Sequence, residues 1–506
     1  MLNESHETRT ISWRRLLAAI AVLVTVTLLV RGERLDAPYA GLLAAGLLVI
    51  CSAMLLRAAV TTGSFMNGYT LVLGTFLITY PLSAFVHLTG KDYVSLGFYE
   101  TAALAPHTQL HHAYLSLALV FLAQLALWWG LAPARPASPR KGPQLGGPQL
   151  IRVRSTLLAL AGFVFTLIGI AGTTLLFSGS GQPLENLTTV DSTRELAAGS
   201  ARFVFMSTWL SWGIIFLLTA FLTSRTSKNH PKIVLAALVG GSTCMFLNLF
   251  WTGSRAENLL AVLPLIFVVK KIAPRYFRPF AAVIAIGVMA IMVFETIVRT
   301  TTLMNSGFDY LAQSGVSSSQ FLGNQLAAIL DWQMGRYPTI SLAFDMVNRY
   351  GHAWGSTLLQ GLAMTINAPA TLLHIPLKVA EPQSMTSLVG QYIYDDSSIN
   401  GVVPGTLSEL YFNFGALGVF GGFFVIGRIA RFCISVTHSA VDMGTVLLGF
   451  YVLTLLCVCT VPMTATLGVY LLTTRGLPIL AFCVAEQTLS RFVSPAPQAV
   501  ANALAA

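Results

Sequence analysis

A short polar turn, Trp251-Thr252-Gly253-Ser254-Arg255-Ala256-Glu257, separates two apolar runs of the chain. Almost no loop lies between the runs, so Arg255 lies near a membrane boundary if both runs cross a bilayer. An arginine at the bilayer centre costs roughly 2.5 to 3.5 kcal/mol and is normally paired, functional or extended toward the headgroups. Arg255 therefore either pairs with Glu257 or reaches the headgroups, or its planar guanidinium holds a phosphate group.

Three further arginines are candidates for the same anion chemistry, and each has a carboxylate nearby in the sequence. Arg299 follows Glu295 by one helical turn, a spacing that is often structural. Arg336 and Arg349 lie near aspartates, and exposed ion pairs of that kind stabilise little. Each of the three is thus a candidate for a local ion pair and for phosphate binding.

A general base has three candidates. Glu409 falls at the start of an apolar helix, where a carboxylate favours the helix N-terminus but, partly removed from water, could also accept a proton. His352 and His374 are isolated residues, each either a base or an ordinary loop histidine.

The sequence favours neither a metal nor a nucleotide. His107 and His111 have the i,i+4 spacing of metal ligands, with His112 adjacent, but no nearby acid or cysteine completes a set. Phosphate-loop, dinucleotide, zinc-protease and nucleophile-elbow motifs are missing. We therefore expect no metal and no cofactor.

The composition is that of a polytopic membrane protein. Of 506 residues, 55% are hydrophobic and only 10% are charged, with a mean hydropathy of +0.71, which leaves too little charge to coat a soluble protein. The net charge of +10 comes from basic residues at the ends of apolar runs, where they orient helices. We therefore reject nucleic-acid binding.

About twelve apolar segments are long enough to cross a bilayer, which takes about twenty residues. The predicted fold is an all-α polytopic membrane protein with about 12 transmembrane helices and a large extracytoplasmic loop that carries short helices. The segments lie near residues 14–31, 38–56, 69–89, 113–132, 155–177, 203–223, 233–251, 257–270, 279–298, 406–427, 443–462 and 466–486.

Basic residues concentrate in alternate loops and so predict the orientation. The linker 133–154 is rich in proline and glycine, basic and free of acids, and the other basic loops alternate with it across the twelve segments. This pattern predicts a multi-pass membrane protein with cytoplasmic N- and C-termini. Arg31-Gly32-Glu33-Arg34 follows the first apolar segment in place of a small-residue cleavage site, so we expect that helix to be retained.

The long stretch between the ninth and tenth segments divides the chain into three parts. These are 1–298 with helices 1 to 9, the periplasmic loop 299–405, and 406–506 with helices 10 to 12 and the C-terminus. Apolar residues recur in the loop at helical spacing, so we expect short helices along the membrane surface. Gly351 should end one of them and Asn367-Ala368-Pro369 another.

Three stretches resemble the O-antigen and oligosaccharide repeat-unit polymerases, the Wzy family. The turn 251–257 is similar to the TGSR-type element of that family. Tyr350-Gly351 through Gly355-Ser356-Thr357, with His374-Ile375-Pro376 and Glu381-Pro382, is similar to its long loop, and Pro404 with Glu409-Leu-Tyr-Phe-Asn-Phe-Gly-Ala-Leu-Gly418 is similar to the exit from that loop.

The resemblance implies a metal-independent GT-C-type glycosyltransferase. It would join undecaprenyl-pyrophosphate-linked oligosaccharides into an O-antigen or exopolysaccharide at the outer face of the inner membrane, with a chain-length regulator as a candidate partner. Glu409 and Arg255 would be catalytic, Arg255, Arg299, Arg336 and Arg349 would bind pyrophosphate, and His352 or His374 would be the alternative base.

Two other functions remain open. One is an O-antigen ligase-like glycosyltransferase, which shares the lipid donor and the architecture. The other is a polysaccharide exporter or flippase. The candidate arginines cluster at outer helix ends and in the long loop, whereas a transporter is expected to place charges mid-helix, which favours an enzyme.

Overall fold

The computed structural model describes most of the hydrophobic chain, and all of its regular structure is helical. The described residues are 37–62, 67–89, 110–132, 155–180, 190–224, 230–252, 255–287, 335–372, 379, 383–394, 403–439 and 442–493. No strand occurs among them, which confirms the all-α class.

Fifteen helices are numbered here in chain order over the described residues. They are α1 Ala37–Thr62, α2 Gly68–Thr89, α3 Leu110–Leu131, α4 Ser155–Ser180, α5 Val190–Thr223, α6 Pro231–Thr252, α7 Arg255–Ile272, α8 274–287, α9 Tyr337–Tyr350, α10 Ser356–Leu372, α11 Met385–Tyr394, α12 Gly405–Ser439, α13 Met443–Thr460, α14 Ala465–Thr474 and α15 Leu477–Val493.

Seven of these helices have described stretches that are long and apolar enough to cross a membrane. They are α1, α2, α3, α4, α5, α12 and α13, and the pair α14 and α15, bent by 54°, makes an eighth if it is one span. All seven coincide with predicted segments, whereas the first predicted segment, 14–31, lies outside the described residues. The chain is therefore a membrane-embedded helical protein.

Helix α12 is the longest of the described helices, with 35 residues. It packs along α3 and α13, and its residue Phe423 makes edge contacts with Phe76 and Tyr80 of α2, at ring-centroid distances of 5.5 and 6.0 Å. These rings are fully buried. Aromatic pairs of this geometry add to the packing energy beyond the area they bury, so this contact fixes α2 against α12.

The described part of the predicted loop contains α9, α10 and α11. Helix α9 packs against α12, α3 and α2, and α10 packs along α14, while Met385 and Val389 of α11 join a second apolar cluster on α9. The prediction that Gly351 ends a helix is confirmed, because α9 ends at Tyr350. The predicted end at Asn367-Ala368-Pro369 is wrong, since α10 continues to Leu372; a proline in the last turn removes only one intrahelical hydrogen bond.

Two helices contain five-residue π-helical stretches, Ile78–Leu82 in α2 and Leu456–Thr460 in α13. Pro81 lies within the first, where a proline disrupts the regular backbone ladder. The two stretches are joined by the Tyr80 hydroxyl, which donates to the Val461 carbonyl at 2.9 Å. Such distortions often occur at functional sites.

Helix α12 breaks at Gly415, whose φ of 64° and ψ of −155° are not helical. The part before the break turns back on the part after it, because a Cβ on Gly418 would lie 2.6 Å from the Leu410 carbonyl oxygen. A larger residue at position 418 would prevent that approach. Residues 416–439 alone exceed the length that a span requires, so residues 405–414 are free to form a separate structure.

Candidate functional site: a buried polar cluster and the strap that contacts it

The carboxylate of Glu409 lies at the N-terminus of helix α14. Its Oε2 accepts from the amides of Ala465 at 2.7 Å and Thr466 at 3.4 Å, and its Oε1 lies 2.5 Å from the Thr466 hydroxyl. The first amides of a helix have no intrahelical acceptor and carry partial positive charge. Glu409 therefore occupies the place that a bound anion would take. We predicted that Glu409 favours the N-terminus of its own helix, α12, whereas it caps the N-terminus of the neighbouring helix α14.

Glu409 is completely buried, with 0% of its surface exposed. Its position follows from the break in α12, because the backbone before Gly415 turns the carboxylate inward toward α14. With both oxygens engaged and no exposed surface, Glu409 has no contact with solvent in this structure. It holds two helices together at this point.

Asn413 lies one turn after Glu409 and connects it to helix α10. Its Nδ2 donates to the Thr357 hydroxyl at 2.6 Å and to the Glu409 carbonyl at 2.7 Å, and its Oδ1 accepts from the Gly355 amide at 2.8 Å. These contacts use both amide protons and the carbonyl oxygen. The Thr357 carbonyl also accepts from the Thr466 hydroxyl at 3.0 Å, so Asn413 binds the same residue of α10 that contacts Thr466.

Residues 351–355 connect α9 to α10 and are named here the strap. The amide of Ala353 donates to the Phe412 carbonyl, and that of Trp354 to the Asn413 carbonyl, both at 3.1 Å. In a continuous helix these carbonyls would accept from amides four residues on, which lie beyond the break at Gly415. The strap therefore supplies the donors that the broken helix lacks, and the break and the strap stabilise each other.

The strap adopts strained backbone to make these contacts. Trp354 has a φ of 49°, between two glycines that also have positive φ, Gly351 and Gly355. A left-handed conformation costs a residue with a Cβ roughly 1 to 2 kcal/mol, and retained strain of this kind clusters at functional sites. The Trp354 side chain is 77% exposed, so burial of its ring within this chain does not offset the strain.

His352 of the strap has the geometry of a general base. Its Nδ1 lies 3.2 Å from the Phe412 carbonyl oxygen. A carbonyl oxygen only accepts, so Nδ1 carries the proton and the Nε2 of the neutral ring is an acceptor. The ring is half-buried, with edge contacts to Trp354 and Tyr411, so its orientation is fixed.

Arg336 immediately precedes α9 and lies beside Gly405, the first residue of α12. It is 7% exposed, its backbone amide donates to the Thr79 carbonyl at 2.9 Å, and its Nη1 donates to the Gly335 carbonyl at 2.6 Å. A Cβ on Gly405 would lie 3.0 Å from that of Arg336 and 3.3 Å from the Tyr80 hydroxyl. Arg336 and Tyr80 thus both lie beside the first turn of α12, in which Glu409 follows Gly405 by four residues.

The residues described so far, Glu409, Asn413, Thr357 and Arg336, form with several hydroxyl groups what is named here the buried polar cluster. The Tyr80 hydroxyl accepts from the Leu407 amide at 3.1 Å, and the Thr406 hydroxyl donates to the Thr460 carbonyl. The Thr339 hydroxyl lies 2.5 Å from the Pro404 carbonyl oxygen and 3.2 Å from the Ser408 hydroxyl. Buried polar networks with their partners in place specify one arrangement of the core.

Arg349 lies on the exposed side of α9, two residues before the strap. Its guanidinium lies over the rings of Tyr350 at 5.4 Å and Tyr392 at 5.5 Å. Burial and then the neighbouring carboxylate of Asp345 raise the pKa of the Tyr392 hydroxyl, while Arg349 acts in the opposite direction. A guanidinium that stacks on aromatic rings keeps its N–H donors at its edge, free to face an anion.

The remaining predicted site residues are described in part or not at all. Arg255 begins α7, but its side chain lies outside the described part, as do the whole of Arg299 and His374. The metal candidate His112 instead pairs with Asp345 of α9, Nε2 to Oδ1, at 3.1 Å. The structure thus brings Glu409 and Arg336 into the buried cluster and places His352 and Arg349 on its exposed side.

Three residues of the site, Asn413, Thr466 and Tyr80, were not predicted from the sequence. A signal exists for Asn413, which is an amide in an apolar stretch four residues after Glu409. Thr466 follows the N-cap Thr464 of a short helix, and the Thr464 side chain accepts from the Leu467 amide. Tyr80 precedes Pro81, but nothing in the sequence indicates that its hydroxyl meets α12.

Comparisons of the chain with protein-family models, with curated proteins and with solved structures find no match. The fold and the site together therefore define a class in physical terms. The protein is a polytopic helical membrane protein in which a broken helix, a strap and a short helix N-terminus enclose a polar cluster.

Proposed function

We propose that this protein is a polysaccharide polymerase that joins undecaprenyl-pyrophosphate-linked oligosaccharide repeat units. It acts at the outer face of the bacterial inner membrane, with about twelve spans, a large extracytoplasmic loop and both termini in the cytoplasm. The product is an O-antigen or exopolysaccharide. Neither a metal nor another cofactor takes part in this proposal.

One observation carries the proposal. The two stretches that most extend the family resemblance beyond the turn 251–257 are 350–357 and 409–418, and they are in direct contact. The strap amides bind the Phe412 and Asn413 carbonyls, and Asn413 binds Gly355 and Thr357. Two short motifs that are distant in sequence but hydrogen-bonded to each other support a shared site better than either motif alone.

In the proposed reaction His352 is the general base. Its Nε2 takes the proton of the acceptor hydroxyl, whose oxygen forms a new bond to the anomeric carbon of the donor chain. The bond from that carbon to the pyrophosphate oxygen breaks, and the pyrophosphate leaves with the bonding electrons. The guanidinium of Arg349 stabilises the departing charge, with Arg255 and Arg299 as further donors.

Glu409 has a different role in this proposal from the one first predicted. It is a positioning residue that holds α14 to the first part of α12, since its carboxylate is fully buried against Ala465 and Thr466. Arg336 supports the same buried region. The groups that touch substrate are those on the exposed side, His352 and Arg349.

The test is deletion of the gene followed by gel analysis of the surface glycan. Loss of the ladder with retention of single-repeat product supports a polymerase, and loss of all capped product supports a ligase instead. Loss of lipid-linked repeats from the outer leaflet would support an exporter or flippase. Purified protein with lipid-linked repeat units as its only substrate should form longer chains, and failure to do so in a folded preparation would contradict the proposal.

A further inference from the structure

A cavity of about 270 Å³ lies between α1, α2 and α3, away from the polar cluster. Its lining includes Arg57, Ala58, Tyr69, Leu73, Trp128 and Leu131. Tyr69 and Tyr80 are eleven residues apart on α2, which is about 16 Å of helix. The cavity is therefore a separate feature, at the N-terminal end of α2.

The lining of the cavity combines one cationic side chain, two aromatic rings and several apolar side chains. Arg57 is exposed at the cavity and Leu73 and Leu131 are buried. Tyrosine and tryptophan, here Tyr69 and Trp128, are the side chains that collect at the level of lipid headgroups. The lining therefore contains a partner for each part of a phospholipid: a cation for the phosphate, rings for the interface and aliphatic side chains for an acyl chain.

The surface of α1 that carries Arg57 faces the lipid side of the bundle. Leu56 and Val60 flank Arg57 in α1 and are 54% and 72% exposed. Large exposed aliphatic side chains on a membrane-spanning helix face hydrocarbon. A lipid can therefore enter sideways from the bilayer.

We propose that this cavity binds an anionic glycerophospholipid, with its phosphate on Arg57 and the first part of an acyl chain against Leu73 and Leu131. Its volume is slightly below the roughly 300 to 1,000 Å³ of ligand clefts, so it holds only a headgroup and the adjoining part of one chain. A free phosphate would leave the apolar lining unoccupied. Basic pockets between transmembrane helices are a known means of binding acidic headgroups.

Charge also argues against this chain's own linker as the occupant. Helix α3 ends at Leu131, and the linker that follows, 133–154, carries Arg135, Arg140, Lys141, Arg152 and Arg154 without an acid. That linker and Arg57 have the same sign of charge. Both attract acidic headgroups, and our orientation places this end of the bundle on the cytoplasmic face.

The experiment reconstitutes the full-length protein in nanodiscs that contain equal amounts of phosphatidylglycerol and phosphatidylcholine. After re-extraction in mild detergent, native mass spectrometry counts the lipids that remain bound. Wild-type protein should retain phosphatidylglycerol in preference to phosphatidylcholine. Arg57→Ala should lower the retained phosphatidylglycerol about five-fold. Arg57→Lys should lower it less, because lysine keeps the positive charge but lacks the planar guanidinium that binds a phosphate through two N–H groups.

Two controls make the result specific to the cavity. Arg278→Ala removes another exposed basic residue, near the start of α8 at a helix end that we assign to the same face, and it should leave retention unchanged. Ala58→Leu fills the cavity without changing charge and should lower retention. Equal retention of the two lipids, wild-type retention by Arg57→Ala, or displacement of the lipid by inorganic phosphate alone would each overturn the proposal.

Discussion

Two buried glutamates cap helix N-termini at opposite ends of α13, and their surroundings differ. At one end the Oε2 of Glu486 accepts from the Gly444 amide at 2.6 Å, with 2% of the residue exposed. At the other end Glu409 accepts from Ala465 and Thr466. A buried carboxylate on a helix N-terminus is therefore a repeated structural device in this chain and is not by itself a sign of catalysis.

The surroundings of Glu409 provide what a chemical site needs. Its own helix is broken at Gly415, and a strained strap that carries the half-buried His352 and the exposed Trp354 binds the break. Around Glu486 the structure places Cys483 and the tightly packed Gly444. The candidate site is therefore identified by the strap and its exposed groups rather than by the carboxylate.

The largest effect is expected from His352→Ala. Loss of a general base lowers turnover about 10² to 10⁴-fold, so the ladder should disappear in a complemented deletion strain while the amount of membrane-inserted protein stays the same. His230→Ala changes an exposed histidine outside the cluster and should leave the ladder intact. A normal ladder from His352→Ala would remove His352 from the mechanism.

The second prediction compares Glu409→Gln with Glu486→Gln. Each variant replaces a charged acceptor by a neutral amide oxygen, so the hydrogen bonds from the helix N-terminus lose their charge assistance, which costs about 1 to 3 kcal/mol. Thermal unfolding in detergent should therefore show both to be destabilised, but only Glu409→Gln should shorten the ladder. Equal loss of the ladder from both would mean that stability alone explains the effect and that the two ends do not differ in function.

The sequence predicted the helical class and the positions of the seven described spans, because about twenty apolar residues in a row have few other structures available. It did not predict that Glu409 turns away from its own helix, since that depends on the φ of a single residue, Gly415. Asn413 and Thr466 were missed for a related reason. Their roles come from contacts between residues more than fifty positions apart, which no local pattern records.

A smaller effect is expected from Gly415→Ala. A Cβ at this site would lie 3.5 Å from the His352 ring, an ordinary contact. The cost therefore comes from the φ of 64° and ψ of −155°, a combination that essentially only glycine adopts, and should be about 2 kcal/mol. Gly421→Ala is the matched control, because its Cβ would meet nothing within 4 Å and alanine favours a helix. If both alanines have the same unfolding temperature, the break in α12 is not the strained element inferred here.

The smallest effect separates the backbone of the strap from its side chain at Trp354. Trp354→Gly removes the ring and also relieves the φ of 49°, whereas Trp354→Ala removes the ring and keeps the strain. Since the ring is mostly exposed, the glycine variant should be more stable than the alanine variant by about 1 kcal/mol, measured as a difference in unfolding temperature. A more stable alanine variant would show that the strap relaxes without the ring, and that the hydrogen bonds to the broken helix do not hold Trp354 in its conformation.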